Sequence, residues 1–392
     1  MHYVRCLRAP KLSLSSRASL LDLTFTITTD LGDSFLLPDE PIPLMVTVHT
    51  SDGAAKRAWP LTGKEQLLWK AGQRIAKPSL RLPPEAARAL AGGQRVELCI
   101  STAPRYSAVS VDDILRSRGD DDGLVMPVWT VLGAQGSQDV DTSFRRLSLG
   151  DKADTLPTSL DVSEEIGESI ARHIWDGGLV ATCALYGTFA LPDLEASGGS
   201  CVQAVNDLLS SDRPVNILEV GCGVGILGMG IASLCAALRQ DTDSAHECLL
   251  FMTDLEEAEQ RALSNIAQLS SLPGQQLRYE NLDWENGRKG HFGDLTTSHT
   301  WDLVVLSDCT YNVDMLPALV ETLSALHLHN AARDSQAVTR VFLATKPRHS
   351  SEQALFDLMA EHAWEKAEEQ VLPLPVIGSE PQSVEMYLFE KK

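Results

Sequence analysis

The sequence predicts an α/β protein in which a smaller β-rich domain precedes a mainly parallel sheet. Three observations support this prediction. From about residue 163 onward, apolar runs of strand length alternate with helical patterns. The last two strand patterns lie too close together for a crossover helix. Residues 1–135 carry short β-branched runs between Pro, Gly and Asp clusters.

The N-terminal region, residues 1–135, has the texture of a small β domain. Its strand patterns are "LDLTFTITT" (21–29), "PLMVTVHT" (43–50), "QRVELCIS" (94–101) and "GLVMPVWTVL" (123–132). The segment "PPEAARALAGG" (83–93) predicts a short helix that ends at glycine. Residues 136–162 are polar and unpatterned, and we interpret them as a linker.

Residues 163–392 form the second predicted domain, with strands and helices in alternation. We expect helices over 163–173, 226–239, 256–269, 314–328 and 351–363. The predicted strands are "VNILEV" (215–220), "CLLFMTD" (248–254), "QLRYENL" (276–282), "WDLVVLSD" (301–308) and "TRVFLAT" (339–345). Continuous apolar runs of this kind are typical of parallel strands that helices cover on both faces.

The C-terminal pair of strand patterns departs from a simple parallel sheet. "EEQVLPLPV" (368–376) and "SVEMYLFEK" (383–391) are separated only by "IGSEPQ". Such a short connection predicts an antiparallel hairpin, so the sheet should end with one inserted antiparallel strand. This ending differs from the usual dinucleotide-binding fold.

Composition and charge limit the possible partners. The 392 residues carry a formal net charge of −20, which argues against nucleic acid and fits a basic protein partner. Solubility alone is the alternative interpretation of this charge. No apolar run reaches the roughly 18–20 residues of a membrane span. The eight cysteines show no metal-ligand spacing. We therefore expect no metal, no membrane, a reducing compartment (cytoplasm, with the nucleus as an alternative) and a monomer.

The stretch "NILEVGCGVGILG" (216–228) raises the question of which ligand it binds. Its three alternating glycines, Gly221, Gly223 and Gly225, follow a strand and precede a helix, where ligands of open α/β sheets lie. Glu219 stands at the strand end, and a carboxylate there would repel a pyrophosphate. It would attract S-adenosylmethionine, which has a sulfonium, an ammonium and no phosphate. We therefore predict this cofactor.

Acidic and aromatic residues follow the next strands. Asp254 could accept both ribose hydroxyls, although capping of the following helix is an alternative. Asp283 and Trp284 follow the third strand, where a carboxylate could accept from the adenine amine and an indole could pack on the ring. A packing role for Trp284 without ligand contact is also open. Asp308 and Tyr311, in "SDCTYN" (307–312), follow the fourth strand.

Five motifs together resemble the seven-β-strand protein-lysine methyltransferases, or methyltransferase family 16. They are "HIWDGGLVA" (173–181), "ILEVGCGVG" (217–225), "MTDLEEAEQRALSNI" (252–266), "NLDW" (281–284) and "DLVVLSDCTYN" (302–312). The resemblance covers about residues 165–391. It implies a Rossmann-like seven-stranded methyltransferase sheet and a protein substrate with an exposed lysine.

The resemblance also implies roles for individual residues. Cofactor contacts would come from Trp175, the 219–225 loop, Asp254, Trp284 and Ser307. Asp308 and Tyr311 would orient the substrate amine. Because a neighbouring carboxylate stabilises an ammonium, we expect Asp308 to aim the amine rather than to deprotonate it. Two alternatives stay open: a small-molecule methyltransferase, and a non-catalytic module that binds a partner.

Overall fold

The computed structural model describes residues 1–14, 19–52, 55–63, 67–117, 123–133, 142–150, 157–167, 172–194, 199–240, 248–269, 272, 275–378 and 380–392. The chain divides into two compact units. The first consists of Met1–Ser148, Asp161–His173 and Pro375–Pro381, and the second of Leu149–Leu160, Ile174–Leu374 and Gln382–Lys392. Among the described residues, no helix has the length and hydropathy needed to cross a membrane.

The first unit is rich in β structure, as predicted. Its strands are β1 (His2–Cys6), β2 (Lys11–Leu14), β3 (Ser19–Asp22), β4 (Phe25–Thr29), β5 (Ile42–Asp52), β6 (Ala55–Pro60), β7 (Leu68–Trp69), β8 (Ser79–Arg81), β9 (Val96–Thr102), β10 (Val125–Met126), β11 (Val128–Leu132), β12 (Thr142–Ser148) and β13 (Ser159–Glu165). They form sheets ordered β10-β1-β4, β2-β3-β8 and β13-β12-β11-β9-β5-β6, with β7 paired to β5. The predicted short helix is confirmed as α1 (Pro84–Ala91), which Gly92 ends, and α2 spans Val111–Arg116.

The segment that we interpreted as a linker, residues 136–162, contains strand structure where it is described. Strand β12 and the start of β13 lie within it, whereas residues 134–141 and 151–156 lie outside the described part. Inward-facing positions of both strands carry charge: Arg145 and Glu164 are buried and paired at 2.6 Å. Because charged residues occupy positions where an apolar side chain is expected, these strands lack the alternation of apolar and polar residues by which a strand is predicted.

The second unit contains one seven-stranded sheet. Its strands are β14 (Val215–Val220), β15 (Cys248–Asp254), β16 (Gln275–Asn281), β17 (Leu303–Ser307), β18 (Thr339–Thr345), β19 (Glu365–Leu374) and β20 (Gln382–Lys391). The order is β16-β15-β14-β17-β18-β20-β19. The first five strands are parallel, and β20 pairs antiparallel with both β18 and β19. The predicted antiparallel ending is confirmed.

The helices of the second unit are α3 (Asp176–Ala190), α4 (Ser200–Leu209), α5 (Ile226–Gln240), α6 (Glu256–Gln268), α7 (Trp284–Gly287), α8 (Asp294–Ser298), α9 (Leu316–Arg333) and α10 (Ala354–Glu361). The predicted helix over 163–173 is wrong, because the chain there completes β13 and residues 168–171 are not described. The first helix of this unit is α3. It is buried on nearly every side, so its sequence lacks the one-sided apolar pattern that reveals a surface helix.

Candidate active site

A glycine turn, residues Gly221–Gly225, joins β14 to α5 at the carboxyl edge of the sheet. Its three glycines have φ values of 70°, 55° and 88°, a region that residues with a side chain rarely occupy. A Cβ at Gly221 would come within 2.6 Å of Cys309 Sγ, and one at Gly225 within 2.2 Å of Met252 Cε. The turn therefore requires glycine for both conformation and space at the sheet edge.

Glu219 lies under this turn, almost fully buried, at 1% exposure. Its carboxylate packs against Gly228, where a Cβ would lie 2.3 Å from Oε2. Neither carboxylate oxygen has a hydrogen-bond partner of ordinary geometry among the described residues. Burial raises the pKa of Glu219 well above its usual value, the nearby Gly228 amide lowers it, and Asp254 raises it further. An ionised carboxylate in this position is costly unless a cation or a donor joins it.

Asp254, at the end of β15, is tied to the glycine turn. Its Oδ2 accepts the backbone N–H of Gly223 at 2.7 Å, and its Oδ1 accepts that of Leu255 at 2.7 Å. Burial raises the pKa of Asp254, while these two amides lower it. Leu255, not Asp254, occupies the N-cap position of α6, so the capping alternative is not supported. The carboxylate instead holds the turn against the neighbouring strand.

Asp283 and Trp284 lie beside the same turn. Asp283 caps the short helix α7 by accepting the backbone N–H of Glu285 at 2.9 Å. The indole of Trp284 lies 3.3 Å from the Cβ position of Gly221. Trp284 therefore forms one wall at the carboxyl edge of β14, beside the glycine turn.

Asp308 follows β17 in a strained conformation, with φ of 51° in the region that non-glycine residues seldom adopt. Its side chain is only 3% exposed, and Oδ1 pairs with Arg348 Nη1 at 2.8 Å. Oδ2 accepts the backbone N–H of Gly178 at 3.2 Å, and Oδ1 that of Lys346 at 3.3 Å. This placement differs from our expectation of a carboxylate that faces a substrate amine directly.

Arg348 and Lys346 are functional candidates that the sequence reasoning missed. The guanidinium of Arg348 also lies 5.1 Å from the ring of Trp175, which occupies the N-cap position of α3. Lys346 Nζ pairs with the buried carboxylate of Asp176 at 2.8 Å. Two cations in "KPRH" directly after a buried strand were the available signal, since the carboxyl ends of parallel strands meet at one edge.

The last two candidates lie on either side of Asp308. Ser307 Oγ lies 2.9 Å from the Cβ position of Gly178 in α3, and so it borders the same edge. Tyr311 is 57% exposed, in the loop that follows β17. The structure thus brings the predicted site residues to the carboxyl edge of β14, β15, β16 and β17, where a ligand of an open α/β sheet is expected.

The chain is similar to several known proteins. The family model described as lysine methyltransferase matches residues 155–362. A UPF0665 family protein of Schizosaccharomyces pombe is 25% identical over 391 residues, covering 100% of this chain and 99% of the relative. Two solved structures are similar over part of the chain. One is a SAM-dependent methyltransferase from Methanosarcina mazei (13% identity, 46% of this chain, 93% of that chain, TM-score 0.32). The other is P. horikoshii TYW2 in complex with MeSAdo (10% identity, 69% and 78%, TM-score 0.33).

The seven-stranded sheet with its antiparallel β20, together with the family match, defines an S-adenosylmethionine-dependent methyltransferase. The cofactor fits the residues present, since neither carboxylate oxygen of the buried Glu219 has a hydrogen-bond partner of ordinary geometry among the described residues, and the adjoining turn carries no side chain at Gly221, Gly223 and Gly225. The chain belongs to methyltransferase family 16, the lysine methyltransferase family.

Proposed function

We propose that this protein transfers a methyl group from S-adenosylmethionine to the side-chain amine of a lysine in a protein. The observation that carries the cofactor half of the proposal is the buried Glu219 carboxylate beneath the glycine turn, which accepts no hydrogen bond of ordinary geometry from the part of the chain that the structure describes. A ligand with an ammonium and a sulfonium would stabilise this charge, whereas a pyrophosphate would oppose it. The family description and the Asp308–Tyr311 motif support a lysine substrate.

Each residue at the sheet edge has a proposed task. Glu219 attracts the positive end of the cofactor, and the glycine turn contacts it through backbone. Asp254 faces the ribose hydroxyls, and it would then share its hydrogen bond with Gly223. Asp283 and Trp284 bound the adenine, while Trp175 and Ser307 border the methionine end.

The substrate amine must lose a proton before it can attack. Free lysine has a pKa near 10.4, so only about 1 in 2,500 side chains is neutral at pH 7. The cofactor supplies an electrophilic methyl group on a positive sulfur, for displacement in line with the attacking nitrogen. An uncompensated carboxylate would stabilise the ammonium and raise its pKa.

The ion pair between Asp308 and Arg348 suits this requirement. Arg348 neutralises the carboxylate at 2.8 Å, so the pair presents little net charge to an incoming amine. In our proposal Asp308 positions the amine as a hydrogen-bond acceptor, and the amine proton passes to water. Tyr311, exposed in the next loop, forms the outer wall for the lysine side chain.

The test uses labelled S-adenosylmethionine and protein extract from cells that lack this enzyme. We expect the wild type to label a lysine in a discrete protein, identified by mass spectrometry, and Tyr311→Ala to label it at least tenfold more slowly. The matched control is Leu328→Ala, which removes another exposed side chain, on α9. Label confined to small molecules would support the small-molecule alternative, and equal labelling by Tyr311→Ala would remove Tyr311 from the site.

A further inference from the structure

A cavity of about 340 Å³ lies beside the Asp308–Arg348 pair in the second unit. We call this cavity the flanking pocket. The lining residues that matter for the argument are Thr310, Arg348, His349, Glu352, Phe356 and Glu385. Thr310 is two residues after Asp308, and Arg348 both lines the cavity and holds the Asp308 carboxylate. The flanking pocket therefore begins where the substrate amine is expected.

Two glutamates line the flanking pocket, and their hydrogen-bond donors among the described residues are neutral groups. Glu352 is 7% exposed and accepts the backbone N–H groups of Arg348 at 3.1 Å and His349 at 3.0 Å, and the Thr310 hydroxyl at 2.6 Å. Glu385 accepts the Tyr387 hydroxyl at 2.6 Å. Hydrogen bonds from neutral donors hold these side chains in place, and no cation in the described part of the chain forms an ion pair with either carboxylate.

The positive groups of the flanking pocket do not cancel this charge. The Arg348 guanidinium already pairs with Asp308 at 2.8 Å. The Nδ1 atom of His349 is occupied within its own loop, where it lies 3.2 Å from the backbone nitrogen and 2.7 Å from the hydroxyl of Ser351. The cavity therefore presents an excess of negative charge to whatever enters it.

An aromatic wall completes the flanking pocket. Phe356 lies in the lining and packs edge-on against Tyr387, with ring centroids 4.8 Å apart. A fixed ring of this kind can cover the aliphatic stem of a long side chain and attract a cation to its face. The volume lies near the lower end of the range for ligand pockets, about 300–1,000 Å³, so one long side chain would fill much of it.

We propose that the flanking pocket binds a cationic side chain, arginine or lysine, of the protein substrate near the lysine that is methylated. This inference rests on the proposed function, and it adds a determinant of substrate choice. Glu385 and Glu352 supply the countercharge, and Phe356 covers the stem. The net charge of −20 acts in the same direction, since it favours basic partners.

The experiment measures binding separately from methyl transfer. The probe is N-acetyl-arginine methylamide, with the citrulline analogue as its neutral counterpart of similar shape, added to the full chain and followed by saturation-transfer NMR. We expect the arginine probe to bind the wild type, the citrulline probe to bind at least fivefold more weakly, and Glu385→Gln to lose the difference. Equal binding of both probes to the wild type would overturn the proposal.

A kinetic measurement adds the protein substrate. In the labelling assay, Glu385→Gln should raise KM for the labelled protein about tenfold, with kcat and the affinity for S-adenosylmethionine unchanged. The matched control is Asp357→Asn on the exposed face of α10, outside the lining, which should leave KM unchanged. An unchanged KM for Glu385→Gln would refute the pocket while leaving the methyltransferase proposal intact. If the wild type binds the arginine probe more tightly than the citrulline probe but labels no protein, the pocket would stand and the protein-lysine methyltransferase proposal would be refuted.

Discussion

Glu219 is the residue on which the cofactor assignment depends most. A carboxylate buried to this degree, with no hydrogen bond of ordinary geometry from the described residues, destabilises the ligand-free protein when it ionises. Families of enzymes keep such groups where a ligand compensates them, and here the compensating ligand must be cationic or a strong donor. Stability and affinity should therefore change in opposite directions when the charge is removed.

Replacement of Glu219 by Gln should stabilise the ligand-free protein at neutral pH by about 1–3 kcal/mol. Because burial raises the pKa of Glu219, the folded state holds a proton that the unfolded state loses, and wild-type stability falls as pH rises above the usual glutamate range. The extra stability of Glu219→Gln should vanish below that pH range, where the protonated Glu219 of the wild type and the Gln of the variant are both neutral. Chemical denaturation across pH measures this, and an advantage that does not depend on pH would contradict the account.

The Asp308–Arg348 pair is the second feature at this scale. Asp308→Asn keeps a residue that tolerates positive φ but removes the countercharge of the Arg348 guanidinium, whose side chain is only 13% exposed, so we expect a loss of about 3 kcal/mol in unfolding free energy. A second substitution, Arg348→Met, should restore part of it. Glu390→Gln, which breaks the more exposed pair with Arg340, should cost less than about 1 kcal/mol.

The same variant separates positioning from base catalysis. If Asp308 positions the amine, Asp308→Asn lowers kcat but keeps the ionisations of the wild-type pH–rate profile. Loss of one ionisation near the working pH, with nothing else changed, would instead identify Asp308 as the general base. Single-turnover rates measured across pH distinguish the two results.

At the scale of elements, the glycine turn between β14 and α5 organises the site. Gly225→Ala should reduce stability by about 2–3 kcal/mol and weaken cofactor binding, because it adds a clash with Met252 to the cost of positive φ. Gly290→Ala is the matched control, since its φ of 74° is similar and a Cβ there meets nothing within 4 Å. Thermal unfolding and calorimetry check both variants. Equal losses would show that the contact with Met252 does not matter.

The elements that the sequence predicted are those with strong local patterns. The parallel strands β14, β15, β17 and β18 are continuous apolar runs, and the β19–β20 hairpin follows from the length of its connection. Helix α3 was missed because it is buried all round, and strands β12 and β13 because Arg145 and Glu164 form a buried pair. Local periodicity cannot reveal a partner that lies elsewhere in the chain.

The candidate site also contains features that local sequence predicts and features that depend on distant partners. The placement of Glu219, the glycine turn and Asp254 at the carboxyl edge of the sheet was predictable because each lies at a strand end. The engagement of Asp308 was not, because its partner Arg348 follows another strand, 40 residues further along the chain. An ion pair of this kind depends on the folded sheet, and the sequence of neither segment alone predicts it.

At the scale of the molecule, charge and organisation bear on the choice of substrate. The net charge of −20 should accelerate encounter with a basic protein, and salt should screen this effect. We predict that kcat/KM for the labelled protein falls about three- to tenfold between roughly 50 and 300 mM salt. The affinity for S-adenosylmethionine, measured in parallel, should change much less. A rate that does not depend on salt would argue that the charge serves solubility only.

Titration calorimetry tests the central claim most directly, with S-adenosylmethionine, S-adenosylhomocysteine, NAD and ATP as ligands of the wild type and of Glu219→Gln. We predict that the wild type binds the methyl donor and its demethylated product, binds neither phosphate-containing nucleotide tightly, and loses at least tenfold in affinity for the donor when Glu219 becomes Gln. Tight binding of NAD or ATP, with no binding of the donor or its product, would contradict the assignment of this site.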